Sequence, residues 1–288
     1  MKTALVKHAI SGDKKALEEL VISVKDKIYN LSIRYLWHPQ NAEDATQEIL
    51  IKIITNLSTF EGKSLFSTWC FRVAVNYLLN LKRSKAEQNI TFSDFSNQLK
   101  GGLDRPSYSG ADAAILEEEI KTGCTIGMLL CLSPELRLAF IIGTVFDLNS
   151  KEASQILNVT PETYRKRLSR AKESIEYFMN SNCGLVNKSR HCRCEKRIPY
   201  AIDTKRIDPG HLLFAGKINE YNMQMEELHD AAGIFKSHPD FKTSPNVLEN
   251  IFNLLASNRY TILKNQNLEV STRQGRGSIR IVGSLTNL

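Results

Sequence analysis

Apolar residues recur at steps of three and four near the start of the chain, and no other feature constrains the fold as strongly. The repeat comprises Leu17, Leu20, Val21, Val24, Ile28, Leu31 and Tyr35. This spacing places them on one face of an amphipathic helix of about five turns. Gly and Pro together account for 15 and 8 of the 288 residues, which is below their combined average of roughly 12%. These features predict an all-α fold.

The helical pattern divides the chain into separate units. We expect a first helical unit over residues 5–85, in which further apolar faces follow at residues 49–57 and after Ser67. A flexible linker is predicted over residues 86–112, where Ser, Asn, Asp and Gly replace the apolar repeat. Residues 86–119 hold seven acidic and two basic side chains, a net charge of about −5 in a chain of +7. The composition by itself indicates a solvated tether.

A helix-turn-helix is predicted in a second unit, over residues 113–180. Ser133-Pro134-Glu135 is typical of a helix start, and Asn149 with Glu152 forms a capping-box pattern. Residues 158–160 then break the helix before Pro161 starts a longer one. Two helices joined by so short a turn are the pattern of a DNA-binding motif.

The second helix of this motif is strongly basic. Residues 161–172 carry five Lys or Arg and one acid. In a recognition helix, short polar side chains near the start reach base edges and cations further along bind phosphates. The side chains placed to reach base edges are Thr160, Glu162 and Thr163. The cations placed to bind phosphates are Arg165, Lys166, Arg167 and Arg170. A solvated basic surface is the alternative interpretation, which the capped helix and short turn disfavour.

The sequence shows no site for enzymatic chemistry. Gly62-Lys63-Ser64 resembles part of a phosphate-binding loop, but the required earlier glycine is replaced by Leu57. The common metalloprotease, hydrolase and dinucleotide-binding patterns are absent as well. We therefore expect that the protein is not an enzyme and binds no cofactor, and the sequence assigns no metal site. A cation among Phe60, Phe66 and Trp69 fits binding of unpaired DNA instead, where bases stack on aromatic rings.

Three late cysteines form the spacing C-x8-C-x-C. Cys183, Cys192 and Cys194 are candidates for a redox or metal site, with a structural role as the alternative. Cys70, Cys124 and Cys131 lie in apolar helical patterns and are expected in the core. Six scattered cysteines in a long chain indicate a reducing, cytoplasmic setting. The longest apolar run, residues 138–146, is under half of a membrane span, and no signal peptide is expected.

Two blocks of sequence resemble a known family. Residues 41–50, Phe60-x-Gly-Lys-Ser-x-Phe-Ser-Thr-Trp69 and residues 72–76 are similar to the first conserved domain of bacterial RNA polymerase sigma factors of the extracytoplasmic-function (ECF) type. Residues 132–137, 151–157 and 163–171 resemble the second DNA-binding domain of the same family. The two blocks occur in the family's order and together cover roughly half of the chain.

The resemblance implies a mechanism and its residues. Core RNA polymerase would bind the helix that carries Asp44, Gln47 and Glu48. The melted minus-ten promoter element would lie near Lys63, Ser64, Phe66, Trp69, Asn76, Asn80 and Arg83. The helix-turn-helix would read the minus-thirty-five element, and the acidic linker would thread the polymerase's nucleic-acid channel. In such proteins polymerase performs the chemistry.

Four positions depart from the usual family pattern. Asn80 stands where Asp is common, and Glu162 replaces a Gly and could accept from a cytosine amino group. Ala153 replaces a larger aliphatic residue, and Tyr164 replaces a small aliphatic one. We interpret the two changes as one compensated repacking, in which Tyr164 fills the space beside Ala153.

Residues 183–288 exceed the minimal family plan. They resemble the C-terminal extension of some members, including a Cys-Arg-Cys signature, and we expect a mostly helical regulatory module. It would replace or supplement an anti-sigma protein, which is the further partner that the resemblance allows. For the protein as a whole, there are two alternatives to a sigma factor. One is a helix-turn-helix regulator that acts without polymerase, and the other is an interaction protein with a solvated basic helix.

Overall fold

The structure is a computed structural model that describes residues 2–81, 90–101, 106–215, 230–238 and 240–256. Within these ranges it contains helices and no named strand. The α-helices are α1 (Lys2–Ile10), α2 (Lys14–Leu36), α3 (Pro39–Thr55), α4 (Phe66–Asn80), α5 (Phe92–Lys100), α6 (Ala113–Met128), α7 (Pro134–Phe140), α8 (Ser150–Leu157), α9 (Pro161–Asn182), α10 (Cys194–Asp203), α11 (Ala231–Lys236) and α12 (Pro245–Ala256). The predicted all-α fold is confirmed.

Helices α1 to α4 form the first unit. The Asp13 side chain caps α2 by accepting from the Ala16 backbone N–H at 3.2 Å. Helix α3 begins with Pro39 at its first position. The apolar faces of these helices meet in a common core, in which Leu20, Ile49 and Leu78 are almost fully buried.

Part of the predicted flexible linker is helical. Helix α5 begins with a capping box in which Thr91 and Asp94 satisfy each other's backbone N–H groups. Phe92 and Phe95 pack on Phe178 of α9, with ring centroids 5.2 Å and 5.7 Å away. Helix α5 is too short for its apolar spacing to predict a helix from the sequence. Contact with α9 stabilises it. Linker residues 86–89 and 102–105 lie outside the described ranges.

Helices α6 to α9 form the second unit. Ser133 caps α7, which continues through the π-helical turn Ile141–Val145. The Asn149 side chain caps α8 by accepting from the backbone N–H groups of Lys151 and Glu152, both at 3.0 Å. The Glu152 carboxylate accepts from the Asn149 side-chain amide rather than from its backbone.

The extension contributes helices α10 to α12. Their presence agrees with the helical extension that the resemblance implied. Residues 216–229, 239 and 257–288 of the extension lie outside the described ranges.

The first and second units pack directly against each other. The Arg137 guanidinium of α7 donates to the Tyr35 carbonyl of α2 at 2.8 Å. Arg72 Nε of α4 donates to the Gln155 carbonyl of α8 at 3.1 Å. Phe71, next to Arg72, also packs on the Phe146 ring, with centroids 5.2 Å apart. The two units therefore share an interface that the sequence analysis did not predict.

A segment of the extension contacts both units. We call residues 231–238 and 240–243 the clasp. On the first unit, Phe241 exchanges two backbone hydrogen bonds with the Asn30 side chain, at 2.7 Å and 3.0 Å. On the second, the Phe235 ring packs edge-on against Phe140 at 4.9 Å, and His238 Nε2 lies 2.7 Å from Thr125 Oγ1. The clasp thus joins the two units to each other.

Candidate nucleic-acid interface

Helices α8 and α9 meet through a turn of three residues. Asn158 takes a left-handed conformation with φ 51°, which ends α8. Thr160 caps α9, since its hydroxyl oxygen accepts from the Thr163 N–H at 3.1 Å, and Pro161 occupies the first helical position. Thr160 also donates to the Thr163 hydroxyl at 2.9 Å. Both hydroxyls predicted to reach bases are therefore engaged in forming the start of the helix.

The cations of α9 form one accessible surface. Arg165, Lys166 and Arg170 are exposed, and Arg167 is half-buried. Lys166 pairs with Glu162 one turn earlier at 2.8 Å, with both side chains about 70% exposed (70% and 68%). An exposed ion pair of this kind contributes little to stability, so both groups can exchange partners when phosphates or bases approach.

Tyr164 fixes the inner face of α9. It is 1% exposed, and Ala153 of α8 is fully buried. A Cβ built at Gly143 would clash with the Tyr164 hydroxyl, so the ring fills space that a glycine in the π-helical turn leaves open. Tyr164 is therefore large because it packs on Gly143, a neighbour that sequence reasoning did not identify.

The aromatic residues at and just before the start of α4 contact one another. Phe60 lies 5.6 Å from Phe66 and 5.7 Å from Trp69 between ring centroids, and Phe66 stacks on Trp69 at 6.0 Å. Phe66 is only 4% exposed and Trp69 is half-buried. Lys63 is exposed and pairs with Glu61. Phe66 therefore supports the surface from beneath, while Lys63 and the Trp69 edge remain accessible.

One face of α4 extends this surface. Arg72, Asn76 and Asn80 follow at steps of four, which places them on the same side of the helix. Asn76 and Asn80 are exposed, and the Asn80 amide donates to the Asn76 carbonyl at 2.7 Å. Arg72 is occupied by its contact with α8. Arg83 lies outside the described ranges.

The predicted polymerase-binding residues lie on α3. Asp44 and Glu48 are exposed and Gln47 is half-buried. Burial raises the pKa of the Tyr77 phenol, and the nearby carboxylates of Glu48 and Asp44 raise it further. This acidic surface is separate from the basic surface of α9.

Two of the three cysteines expected in the core are only partly buried. Cys70 is buried, as predicted for the core, whereas Cys124 and Cys131 are only partly buried. Burial is the largest cause that raises the pKa of the Cys124 thiol, and Cys192 and Cys183 raise it further, so these three thiols are neighbours. Across the described ranges, no group of three or more His, Cys, Asp or Glu side chains is already arranged to hold a metal ion.

Known proteins match both helical units. The family model for sigma-70 region 2 matches residues 20–88, and that for sigma-70 region 4 matches residues 123–175. The ECF RNA polymerase sigma-E factor of Escherichia coli K12 is 30% identical over 176 residues, 60% of this chain and 91% of that protein. The sigma factor SigW of Bacillus subtilis is 29% identical over 59% of this chain and 92% of its own length. The sigma-H factor of Pseudomonas aeruginosa is 29% identical over 60% and 90%.

The fold and the two matched regions define a sigma-70-type transcription initiation factor. The chain belongs to the ECF family of RNA polymerase sigma factors. We refer to the first unit as region 2 and the second as region 4. About two fifths of the chain lies outside the aligned stretch, since that stretch covers 60%. None of the described helices has the length and apolar character needed to cross a membrane.

Proposed function

We propose that this sigma factor binds core polymerase through the acidic face of α3 and reads promoters with α4 and α9. Asp44, Gln47 and Glu48 supply the polymerase contact. Polymerase forms the phosphodiester bonds, and the sigma factor acts in the cytoplasm without catalytic chemistry of its own. The observation that supports this most directly is the exposed basic surface of α9 on a capped helix-turn-helix.

At the minus-thirty-five element, α9 enters the major groove. Glu162 and Thr163, at the start of the helix, reach base edges, with Thr160 beside them. Arg165, Lys166, Arg167 and Arg170 bind phosphates along the groove. The Glu162 carboxylate is an acceptor and suits a cytosine amino group, once Lys166 turns to the backbone.

At the minus-ten element, the melted strand follows the surface between the aromatic loop and α4. Lys63 and Ser64 bind its backbone, a base contacts the exposed part of the Trp69 ring, and Asn76 and Asn80 bind polar edges of bases. Arg83, outside the described ranges, is the further residue that the family resemblance implies at this element. We add Arg72, which shares this face and becomes available when it leaves the Gln155 carbonyl.

The packed arrangement cannot engage both elements at once. As their names state, the elements lie about 25 base pairs apart, roughly 85 Å along B-form DNA. A compact chain of this length has a radius of gyration of about 19 Å. Regions 2 and 4 must therefore separate on promoter DNA, and we assign the clasp the role of opposing that separation. A separate anti-sigma protein would then supplement the extension.

Run-off transcription with purified core polymerase and the full-length protein tests the proposed function. We expect initiation at specific positions on native templates, lost when Asp44 and Glu48 are both replaced by Asn and Gln. Tight binding to core polymerase without specific initiation on any native template would contradict the proposal. Sequence-specific binding without any affinity for core polymerase would favour the regulator that acts without polymerase.

A second comparison tests the clasp. Phe241→Ala removes the ring that lies 5.1 Å below the Arg34 guanidinium and 6.3 Å from Phe214. We expect this variant to initiate more transcription than the wild type at limiting core polymerase, because less contact energy opposes separation. Tyr177→Ala is the matched control, since that ring is 78% exposed on α9. Equal activity of Phe241→Ala and wild type would contradict a regulatory clasp.

A further inference from the structure

The structure brings a fourth cysteine to the three that the sequence analysis singled out. Cys183 ends α9, and its backbone pairs with that of Cys192 in an isolated parallel bridge, in which the Gly184 N–H donates to the Cys192 carbonyl at 3.0 Å. A Cβ built at Gly184 would clash with that carbonyl oxygen. The two cysteine-bearing segments therefore approach as closely as backbones can.

Backbone geometry directs Cys192 and Cys194 to the same side. Arg193 between them is extended, with φ −126° and ψ 141°, and alternate side chains of an extended segment share a face. The Arg193 guanidinium instead donates to the Lys188 carbonyl at 2.9 Å and to the Cys192 carbonyl at 3.1 Å. His191, the neighbouring alternative ligand, is exposed. The near-adjacent spacing thus presents two thiols rather than a crowded row of three ligands.

Helix α6 provides the fourth thiol. Cys194 is the first residue of α10, and α10 packs along α6, which carries Cys124 near its carboxyl end. Burial raises the pKa of Cys194, and Cys124, Cys183 and Cys192 raise it further in that order. Burial and then Cys183 raise the pKa of Cys192. All four thiols therefore lie near one another, where α6, the end of α9 and the start of α10 meet.

We propose that Cys124, Cys183, Cys192 and Cys194 together bind one zinc ion, which ties region 4 to the extension. Four thiolates are the ligand set of a closed structural zinc site. Because no three of these side chains are yet in a coordinating arrangement, binding turns the thiols inward about their single side-chain torsions. The ligands pair as Cys183 with Cys192 and Cys194 with Cys124, from three separate segments.

The surrounding charges favour a metal over a disulfide. Four thiols lose four protons to solvent on binding Zn²⁺, which leaves a site of net charge −2. Arg197 lowers the pKa of Cys124 and Cys192, and Arg193 lowers that of Cys192, so both cations lie where they offset this charge. The backbone carbonyls of Gln98, Leu99 and Gly101 hold the Arg197 guanidinium in place. All four cysteines are free thiols in the structure, with no disulfide among them.

Metal analysis of the full-length protein tests the proposal. Purified under reducing conditions, the wild type should contain about one zinc per chain, the stoichiometry of a four-thiolate site. Cys124→Ser should lose most of this zinc, although sequence reasoning places that residue in the core. Cys131→Ser is the matched control, a partly buried cysteine one helical segment further on, and it should keep its zinc. Equal loss from both variants would overturn the proposed ligand set.

Cobalt substitution keeps the test decisive if a variant fails to fold. Anaerobic titration of zinc-free wild type with Co²⁺ should give thiolate charge-transfer bands and the intense visible bands of tetrahedral cobalt, saturating at about one equivalent. Neither zinc in the purified protein nor these bands on titration would overturn the proposal. A mass of the untreated protein that shows disulfides among the four cysteines would overturn it as well. Neither readout depends on transcription, so failure here leaves the proposed function untouched.

Discussion

The guanidinium of Arg137, in region 4, donates to the backbone carbonyl of Tyr35, in region 2, at 2.8 Å. The same side chain is 2% exposed and also donates to the carbonyls of Leu129, Leu130 and Leu132 at 2.8 to 3.0 Å. Arg137 thus closes the turn before α7 and the interface between the regions with one rigid group. Opening of that interface costs one of these four bonds and leaves the other three in place.

Arg137→Met should lower the free energy of unfolding by about 3 kcal/mol, because several buried carbonyl oxygens lose their donor. Urea denaturation followed by circular dichroism measures the change. Arg165→Met is the control, since Arg165 is exposed on α9, and should stay within about 0.5 kcal/mol of wild type. Similar losses in the two variants would show that the carbonyl contacts of Arg137 do not stabilise the fold.

The Tyr164 hydroxyl is buried and has no hydrogen-bond partner among the described residues, and burial raises its pKa to about 12. Tyr164→Phe should therefore leave stability unchanged or raise it by up to about 1 kcal/mol. Gly143→Ala should lower stability by about 1–3 kcal/mol, because its methyl group overlaps that hydroxyl. The double variant should recover part of this loss in thermal unfolding. Strict additivity of the two changes would place the clash elsewhere.

His238 links stability to pH. Burial, followed by the nearby Arg34 and Lys121, lowers the pKa of His238 to about 3 from 6.5. The unfolded chain therefore binds a proton that the folded chain rejects between pH 6.5 and 3, so the free energy of unfolding is highest above pH 6.5 and falls as the pH drops through this window. His238→Gln removes this titration and should flatten the dependence of the urea midpoint on pH between 7 and 4.

The control for this prediction is His211→Gln. His211 is exposed and bonds only at the surface to Asp208, at 3.0 Å, so the wild-type dependence on pH should remain. Should His238→Gln keep the full acid sensitivity, the carboxylates rather than His238 would be responsible for it.

Salt dependence measures the phosphate contacts of α9. Replacement of Arg165, Arg167 and Arg170 by Ala should reduce the slope of log affinity against log salt for promoter duplex by about 2.7, at roughly 0.9 per phosphate contact. The charge-matched control replaces Lys7, Lys14 and Lys15, which are exposed on α1 and α2. The control should keep the wild-type slope, and a slope that depends on net charge alone would change equally in both variants.

The sequence carries most of the information about local structure in this protein. Capping residues and proline mark the starts of helices, and their effects are local. In this chain they are Asp13, Ser133, Asn149 and Pro161. The apolar repeat of α2 likewise needs no partner to be recognised. These features made the all-α fold and the helix-turn-helix predictable.

Contacts between distant segments could not be predicted in this way. Nothing local to Arg137, Arg72 or Phe241 indicates which carbonyl or side chain will lie opposite, since the choice depends on how completed helices pack. Cys124 is the clearest case, because it sits in an apolar helical pattern and only the packing of α10 on α6 reveals its neighbours.

The order of synthesis gives the clasp a consequence in time. Asn30 and Phe241 are 211 positions apart in the chain, so the ribosome needs about 10–40 s after making the first to reach the second. Region 4 is completed before Phe241 is made, and until Phe241 is made the two regions have their direct contacts but not the clasp. Each new copy of the protein therefore passes through a stage without the clasp, in which we expect polymerase nearby to meet less resistance to the separation of the regions.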